Sequence, residues 1–425
     1  RILVVGSGGR EHALARTLVK SPDVSAVLAA PGNGGTAGVG ENVPVADSDV
    51  PGLVALAKDR GIDLVVAGPE APLVAGIRDA METAGIPCFG PDAYAAGLEG
   101  SKAFAKDVMA AAGVPTAAYA TFTDAASARA YVEKVGAPVV VKADGLAAGK
   151  GVTVAATKEE ALAAVDESLV AGAFGKAGAK VVVEEALVGE EASFLAFCDG
   201  ATSVAMTACQ DHKAVYDGDA GPNTGGMGAY CPAPVLPPSR YEETKALVID
   251  PILREMEKRG HPFTGILYAG LMMTASGPKV LEYNVRFGDP ECQPLLARLG
   301  SDLPAILFAC RAGTLTPELV RWSAKSALCV VMAAPGYPGS YPKGMEITGI
   351  AAAEADPAVT VYQAGTRRDG ERIVTSGGRV LGVTALCDTL AAAKATAYEA
   401  CAKIRFDGAF YRRDIGDKGL KREGK

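Results

Sequence analysis

Ile2-Leu3-Val4-Val5 runs straight into Gly6-Ser7-Gly8-Gly9, and a helical stretch from Glu11 to Lys20 follows. A β-rich run that turns on glycines into a helix opens a crossover unit, because parallel neighbours need a connection long enough to hold a helix. The rhythm returns at Asp63 to Ala67 followed by Leu73 to Ala84, so the first hundred residues are predicted to form a doubly wound parallel sheet. In such sheets ligands gather at the carboxyl ends of the strands. Three loops fall there: Gly6-Ser7-Gly8-Gly9-Arg10-Glu11-His12, Pro31-Gly32-Asn33-Gly34-Gly35-Thr36 and Gly68-Pro69-Glu70. The first can hold a phosphate or carboxylate on its amides, or can be a tight turn with no ligand. Glu11 stands where a dinucleotide fingerprint would carry its third glycine, which argues against a nicotinamide cofactor.

At 425 residues the chain is expected to hold two to four domains. Apolar residues at 49% and charged ones at 21% are the balance of a globular protein. The 49 acidic against 42 basic side chains, a net charge of -7, exclude the basic footprint of a nucleic-acid binder. No apolar run has membrane-spanning length, and the first residues read as a strand and not as a signal peptide. Nine cysteines with no C-x-x-C pair suit neither a disulfide framework nor a zinc site, and point to a reducing, cytoplasmic setting. The start at Arg1 is read as a missing initiator.

A second unit is predicted to open at Glu99-Gly100-Ser101-Lys102, with Ser101 capping a helix that runs to Ala112 and closes on Gly113. Strands follow at Pro138 to Ala143, Val152 to Ala155, Lys180 to Glu185 and Ala192 to Cys198, with a helix from Lys158 to Val170, giving a small α+β subdomain. Residues 210 to 238 read as long loops, and loops of that length in a compact enzyme are functional or disordered. A further β-rich region runs from Ser326 to about Phe410.

The most informative string is Val141-Lys142-Ala143-Asp144-Gly145-Leu146-Ala147-Ala148-Gly149-Lys150-Gly151. A lysine ending a strand can meet a nucleotide phosphate as a point charge, while a glycine flap that includes Gly149 lets backbone approach the terminal phosphates. Its order is not that of a P-loop. Near Val183-Glu184-Glu185-Ala186-Leu187 an exposed strand edge can read adenine, and a carboxylate of the following Gly189-Glu190-Glu191 can accept both ribose hydroxyls; paired glutamates can equally be solvated surface. Glu282 and Asn284 share one face of a strand by its period of two, two oxygen donors suited to magnesium, and Arg286 continues that face where it could neutralise a transferred phosphoryl group. Asp211 could hold an ammonium, with Lys213 beside it and backbone amides of the 225 to 228 loop for a carboxylate. His12 and His212 are open to acid-base or structural roles, and three histidines without paired spacing argue against a metal site.

In this order GSGGREHAL, PGNGGT, GPEAPL, LEGSKAF, VKADGLAAGKGV, QDHK, GPNTGGMGAY, LYAGLM, NVRFGDPE and GGRVL resemble the glycinamide ribonucleotide synthetases, the phosphoribosylamine-glycine ligases of the ATP-grasp superfamily. The resemblance spans nearly the whole chain. It implies a pre-ATP-grasp domain at 1 to 100, an ATP-grasp domain at 101 to 325 with a mobile lid near 118 to 190, and a β-rich C-terminal domain at 326 to 425. It implies ATP on Lys102, Lys142, Gly149, Glu184, Glu185, Leu187 and Glu191, and magnesium or manganese on Glu282 and Asn284, with Glu291 through water. Where several ATP-grasp ligases carry a third metal carboxylate, this chain reads Tyr268-Ala269-Gly270-Leu271. The amine substrate would meet Gly9, Arg10, Glu11, Glu70 and Asp289, and glycine would meet Asp211, Lys213 and Gly226, with Arg286, Asp211 and Lys213 carrying the chemistry. The implied reaction joins glycine to 5-phosphoribosylamine with ATP, through glycyl phosphate, in purine biosynthesis. It implies a monomer or weak homodimer with one function, acting without nucleic acid or membrane. A sister ATP-grasp ligase with another acceptor, a silent scaffold and a dehydrogenase are the rival readings. The QDHK and NTGGMG loops, the intact Glu282, Asn284 and Arg286, and Glu11 respectively speak against them.

Overall fold

Strand Ile2–Gly6 is buried along its length and lies at the centre of a five-stranded sheet, as a strand covered by helices on both faces must. The order is Glu41–Asn42, Val27–Pro31, Ile2–Gly6, Leu64–Ala67, Cys88–Phe89, all pairs parallel. The chain is seen in a computed structural model that describes residues 1–147 and 151–424. Helix Gly9–Leu18 follows the glycine turn as expected. The helix expected from Leu73 to Ala84 is instead two, Glu70–Val74 and Ile77–Thr83, because Gly76 takes a left-handed backbone (φ 84) that ends the first and starts the second. Ser101 caps helix Lys102–Ala112 by accepting from the Phe104 amide, and Gly113 (φ 69) closes it.

The small unit is a four-stranded antiparallel sheet in the order Tyr119–Phe122, Val181–Glu185, Val139–Ala143, Val152–Ala155, packed on helices Ala125–Val135 and Lys158–Leu169. Its period of two decides what reaches the site. Val139, Val141, Val181 and Val183 point to the helices and form a core of their own, which sends Lys142 and Glu184 to the opposite face. The larger antiparallel sheet, Ser203–Ala205, Glu190–Asp199, Thr264–Thr274, Gly277–Asn284, carries Glu282 and Asn284 on its last strand. A register shift there pairs Gly270 with Glu282 and Leu271 with Val280, leaving Leu281 as a bulge.

Residues 210 to 238, expected as loops, contain four short strands. Gln210–Asp211 and Gly228–Cys231 join Ser326–Ala333, Arg379–Cys387 and Val359–Gln363 in one antiparallel sheet, and Ala214–Tyr216 with Ala220–Asn223 forms a separate ribbon. Runs of two to four residues broken by glycine and proline show no period of two, so the sequence carries no strand signal there. The C-terminal sheet therefore draws strands from both sides of residue 325. The largest hydrophobic cluster likewise joins residues of the N-terminal, central and C-terminal parts, while the small unit keeps its separate core. Among the described residues no helix is long and apolar enough to cross a membrane. The nine cysteines are all free, and all but Cys387 are buried.

Candidate functional site

The sheets' ends face a cavity of about 670 Å³. Its wall takes Arg10 and Glu70 from the parallel sheet, Lys102, Glu282, Asn284 and Arg286 from the central part, Glu184 and Val152 from the small unit, and Arg379 from the C-terminal sheet. Asp211, Lys213, Asp289 and Glu291 line it too, so most of the expected site residues converge.

At one end Glu184, buried, accepts two ammonium groups on a single oxygen: Lys142 at 3.0 Å and Lys106 at 3.3 Å. Its other oxygen is buried without a partner among the described residues. Lys142 also donates to the carbonyl of Leu281 at 3.1 Å, the residue freed by the bulge. Lys106 donates to Thr116 at 2.7 Å, and burial lowers its pKa to about 8. Sequence reasoning missed Lys106. The available signal was its place four residues after Lys102, on the same helix face. Burial also lowers the pKa of Lys102, which donates to the carbonyl of Gly145 at 3.3 Å. Glu185 is exposed on the other side of its strand, where its carboxylate meets the Ala118 amide and Lys279, and it does not line the cavity. Leu187 and Glu191 are also outside the lining, Glu191 pairing with Lys213 at 2.7 Å. Gly149 lies outside the described residues.

Glu282 has no hydrogen bond or ion pair among the described residues, yet its pKa is lowered: burial works to raise it, and the joint pull of Lys213, Lys142, Lys102 and Arg286 wins. With Asn284 it offers hard oxygen donors, which fit a divalent cation such as magnesium. Four surrounding cations disfavour that ion by itself, so the set fits a metal that arrives with a polyphosphate. Among the described residues no group of three or more His, Cys, Asp or Glu side chains could hold one.

Arg286 ties the middle together. It donates to Glu99 at 2.6 Å, Glu70 at 3.2 Å and the Asn284 side-chain oxygen at 3.1 Å. Glu99, a second residue that the sequence reading missed, also accepts the Val285 amide at 2.8 Å. Burial outweighs Arg286 and raises its pKa to about 7. At the far end Arg379 donates to the carbonyls of Gly225 at 2.7 Å and Asp289 at 2.6 Å, and its guanidinium lies 3.5 Å from the Asp289 carboxylate. Only GGRVL as a string had pointed to it.

Asp211 is pushed well above the usual carboxylate range by burial first and then by Glu291, against the opposing pull of Lys213. Glu291 accepts from Tyr268 at 2.6 Å and Ser193 at 3.0 Å. Gly226 (φ 113) leaves room for Asp211, whose oxygen lies 2.7 Å from where a Cβ would stand. The Gly225 and Gly226 amides, expected to meet a carboxylate, already donate to Tyr337 and Thr224.

Glu11 is an internal clamp. Its carboxylate accepts from the Gly8 amide and from Arg10, and it fills the space where a Cβ at Gly68 would meet it at 2.0 Å. Arg10 reaches the cavity; Glu11 and Gly9 do not line it. Beside this turn a second hollow of about 530 Å³ is lined by Ser7, Asn33, Thr366, Arg367, Arg368 and Ser376, among others. Both candidate histidines are packing groups. Burial lowers His12 to about 3 and His212 to about 4; His12 accepts the Gln363 amide, and His212 lies within hydrogen-bond distance of the Gly228 carbonyl.

Three family models match the chain: the N domain of phosphoribosylglycinamide synthetase over residues 1–99, its ATP-grasp (A) domain over 100–292 and its C domain over 327–418. The chain is 52% identical over 423 residues to a phosphoribosylamine-glycine ligase of Rhizobium meliloti, covering 100% of this chain and 99% of that one. It is 54% identical over 427 residues to the ligase of that name from Allochromatium vinosum, with the same coverage. The crystal structure of a Thermotoga maritima phosphoribosylamine-glycine ligase superposes with a TM-score of 0.85 at 33% identity, over 98% of this chain and 100% of that one. A biotin carboxylase domain from Hydrogenobacter thermophilus shares the fold, with a TM-score of 0.74 at 17% identity, over 100% of this chain and 95% of that one. Full-length matches in sequence and structure, over the same strands and loops that build the cavity, place the chain in the phosphoribosylglycinamide synthetase family.

Proposed function

We propose that this cavity joins glycine to 5-phosphoribosylamine at the expense of ATP, giving glycinamide ribonucleotide, ADP and phosphate, a step of purine biosynthesis. One observation carries the assignment of roles. Lys102, Glu282, Asn284 and Arg286 share a single cavity with Asp211 and Lys213 and with Glu70 and Asp289. A phosphate-binding set thus opens on the same cavity as groups suited to two small polar molecules.

Lys102 and Lys142 meet the triphosphate, and the free oxygen of Glu184 is an acceptor for an adenine amino group. Glu185 and Leu187 contribute to base binding through backbone and not through the cavity wall. Glu191 reaches the ribose once it leaves Lys213. Glu282 and Asn284 would hold magnesium or manganese, with Glu291 nearby in the same cavity, and the ion would supply neutralisation of triphosphate charge. The small unit acts as the lid, its independent core allowing it to move as one body.

A free carboxylate resists attack by an amine. The glycine carboxylate, held by Lys213, therefore takes the γ-phosphoryl group to give glycyl phosphate, while Arg286 faces the charge that develops. An ammonium beside Asp211 and Glu291 supplies the counter-charge that this buried acidic pair needs. The amine of phosphoribosylamine, near Glu70, Arg10 and Asp289, then attacks the carbonyl: a C–N bond forms, the C–O bond to phosphate breaks, and a proton leaves the nitrogen. The second hollow, with two arginines at the glycine turn, takes the sugar phosphate, and Glu11 and Gly9 act by shaping that turn. We assign this work to the cytoplasm, to a monomer or weak homodimer, with no nucleic acid or membrane involved.

ADP release tests the reading directly. With ATP, glycine and freshly made phosphoribosylamine it proceeds, and omission of either co-substrate stops it. Equal release without glycine contradicts the proposal.

A further inference from the structure

The ribbon Ala214–Tyr216 and Ala220–Asn223 hydrogen-bonds to no larger sheet, and two strands alone are marginal in water. Its second strand is exposed throughout. At its turn stands Asp219 (φ 57), the only non-glycine residue with a left-handed backbone among the described residues. Val215 packs the first strand against Met227 and Ala333, but among the described residues nothing close in sequence accounts for the order of the exposed turn at 217–219.

The explanation lies about two hundred residues away. The side chain of Arg412 is 1% exposed. It donates to the Ala214 carbonyl at 3.0 Å and to Asp219 at 3.1 Å, while its other nitrogens hold Asp414 at 2.7 and 2.6 Å. Asp414 accepts the Gly218 amide at 2.9 Å, the Arg413 amide donates to Asp217 at 2.7 Å, and Lys418 pairs with Asp219 at 2.6 Å. Both ends of the ribbon are at the cavity: Lys213 precedes it, and Asn223, Thr224 and Gly225 line the wall. Arg412 itself lines nothing there.

We propose that Arg412 is a positioning residue for the amino-acid end of the site, fixing the ribbon and through it Lys213 and the Asn223 to Gly225 wall. The inference rests on the reading that glycine binds there. A guanidinium suits the task because its planar fork reaches three acceptors at once, which an ammonium on a single point cannot do. The segment that carries Arg412 has its own anchors. Tyr398 donates to the Arg412 carbonyl at 2.7 Å and accepts the Ile415 amide at 3.1 Å, and Ile415 is fully buried. Removing the guanidinium therefore loosens the turn of the ribbon and its link to Ala214, and leaves the C-terminal segment seated.

Steady-state kinetics on the full chain, with each substrate varied in turn, test this. Arg412→Met raises the KM for glycine at least ten-fold and leaves the KM for ATP within two-fold, and Arg412→Lys recovers part of the loss. Hydrogen exchange at residues 214–223 quickens in the methionine variant. An unchanged glycine KM, or glycine and ATP KM values rising in parallel, overturns the inference. Should the methionine variant not fold, Lys418→Ala and Asp219→Asn on the surface take its place, each raising the glycine KM about three-fold; no rise in either overturns it as well. Wild-type ADP release that ignores glycine would sink the functional reading itself, whereas normal glycine dependence with an insensitive Arg412→Met sinks this inference alone.

Discussion

The two ends of the cavity are built in opposite ways. The phosphate end is local: Lys142 and Glu184 come from paired strands of one small sheet, Lys102 and Lys106 from one helix turn, and Glu282 and Asn284 from one strand. The acceptor end is assembled from three parts of the chain. Arg286 meets Glu99 and Glu70, Arg379 reaches across to Asp289 and Gly225, and Arg10 comes from the first helix. The end proposed for the phosphates carries surplus positive charge, and the end proposed for the acceptors interleaves both signs so that each group holds the next. Local construction lets one side chain fail alone, whereas distributed construction makes a loss spread to neighbours.

Loss at the phosphate end should therefore be the more severe and the more confined. Glu282→Ala or Lys142→Ala is expected to cut turnover by roughly 10²–10³-fold or more; the melting temperature stays near wild type for Glu282→Ala and falls for Lys142→Ala, which leaves buried Glu184 with Lys106 alone. Normal activity in either removes the local half of the contrast. At the acceptor end, Arg379→Met breaks a charge pair whose partner stays buried. Such truncation costs about 2 kcal/mol or more, so kcat/KM for glycine and for the amine should each fall roughly thirty-fold with the ATP KM unmoved. If only one of the two responds, the acceptor end is less coupled than its contacts imply.

Glu99 sharpens the contrast through pH. With a pKa raised to about 7 it takes up a proton as pH falls below 7, and its ion pair with Arg286 weakens. Wild-type kcat/KM should then decline on the acid side of pH 7, and Glu99→Gln should lose that limb and run roughly ten-fold slower at pH 8. Stability moves the other way. A raised carboxyl pKa means that the folded state binds more protons, so this group's contribution is complete below about pH 4.5 and is lost as pH rises through 7. Melting curves for Glu99→Gln should be correspondingly flatter over that window. The smallest effect belongs to the lid, where Thr157 caps helix Lys158–Leu169 by accepting from the Glu160 amide. Thr157→Ala should cost about 1 kcal/mol, seen as faster hydrogen exchange in that helix, with kcat unchanged.

The same contrast explains what the sequence made legible. The parallel sheet, the Ser101 cap and the alternation that turns Lys142 towards the site follow from residues close together in the chain, where period and turn chemistry leave a mark. Lys106 was within reach of the same logic. Glu99 and the ring of contacts around Arg379 were not, because a carboxylate's burial and an arginine's distant acceptors exist only once the domains have met. The strands between 210 and 231 were hidden for a related reason: they are too short for any period, and two of them are held by residues beyond 325. Glu11 shows the reverse case. Its place in a loop at the strand ends was visible, but not that the glycines around it make room for its own carboxylate.

The central claim is that this cavity activates the glycine carboxylate by phosphorylation before the amine arrives. Glycine labelled with ¹⁸O in both carboxylate oxygens, turned over with ATP and phosphoribosylamine, tests it most directly. The account predicts that one labelled oxygen per turnover appears in the released phosphate and that the other stays in the amide product. Unlabelled phosphate, with ADP formed at the normal rate, would contradict it.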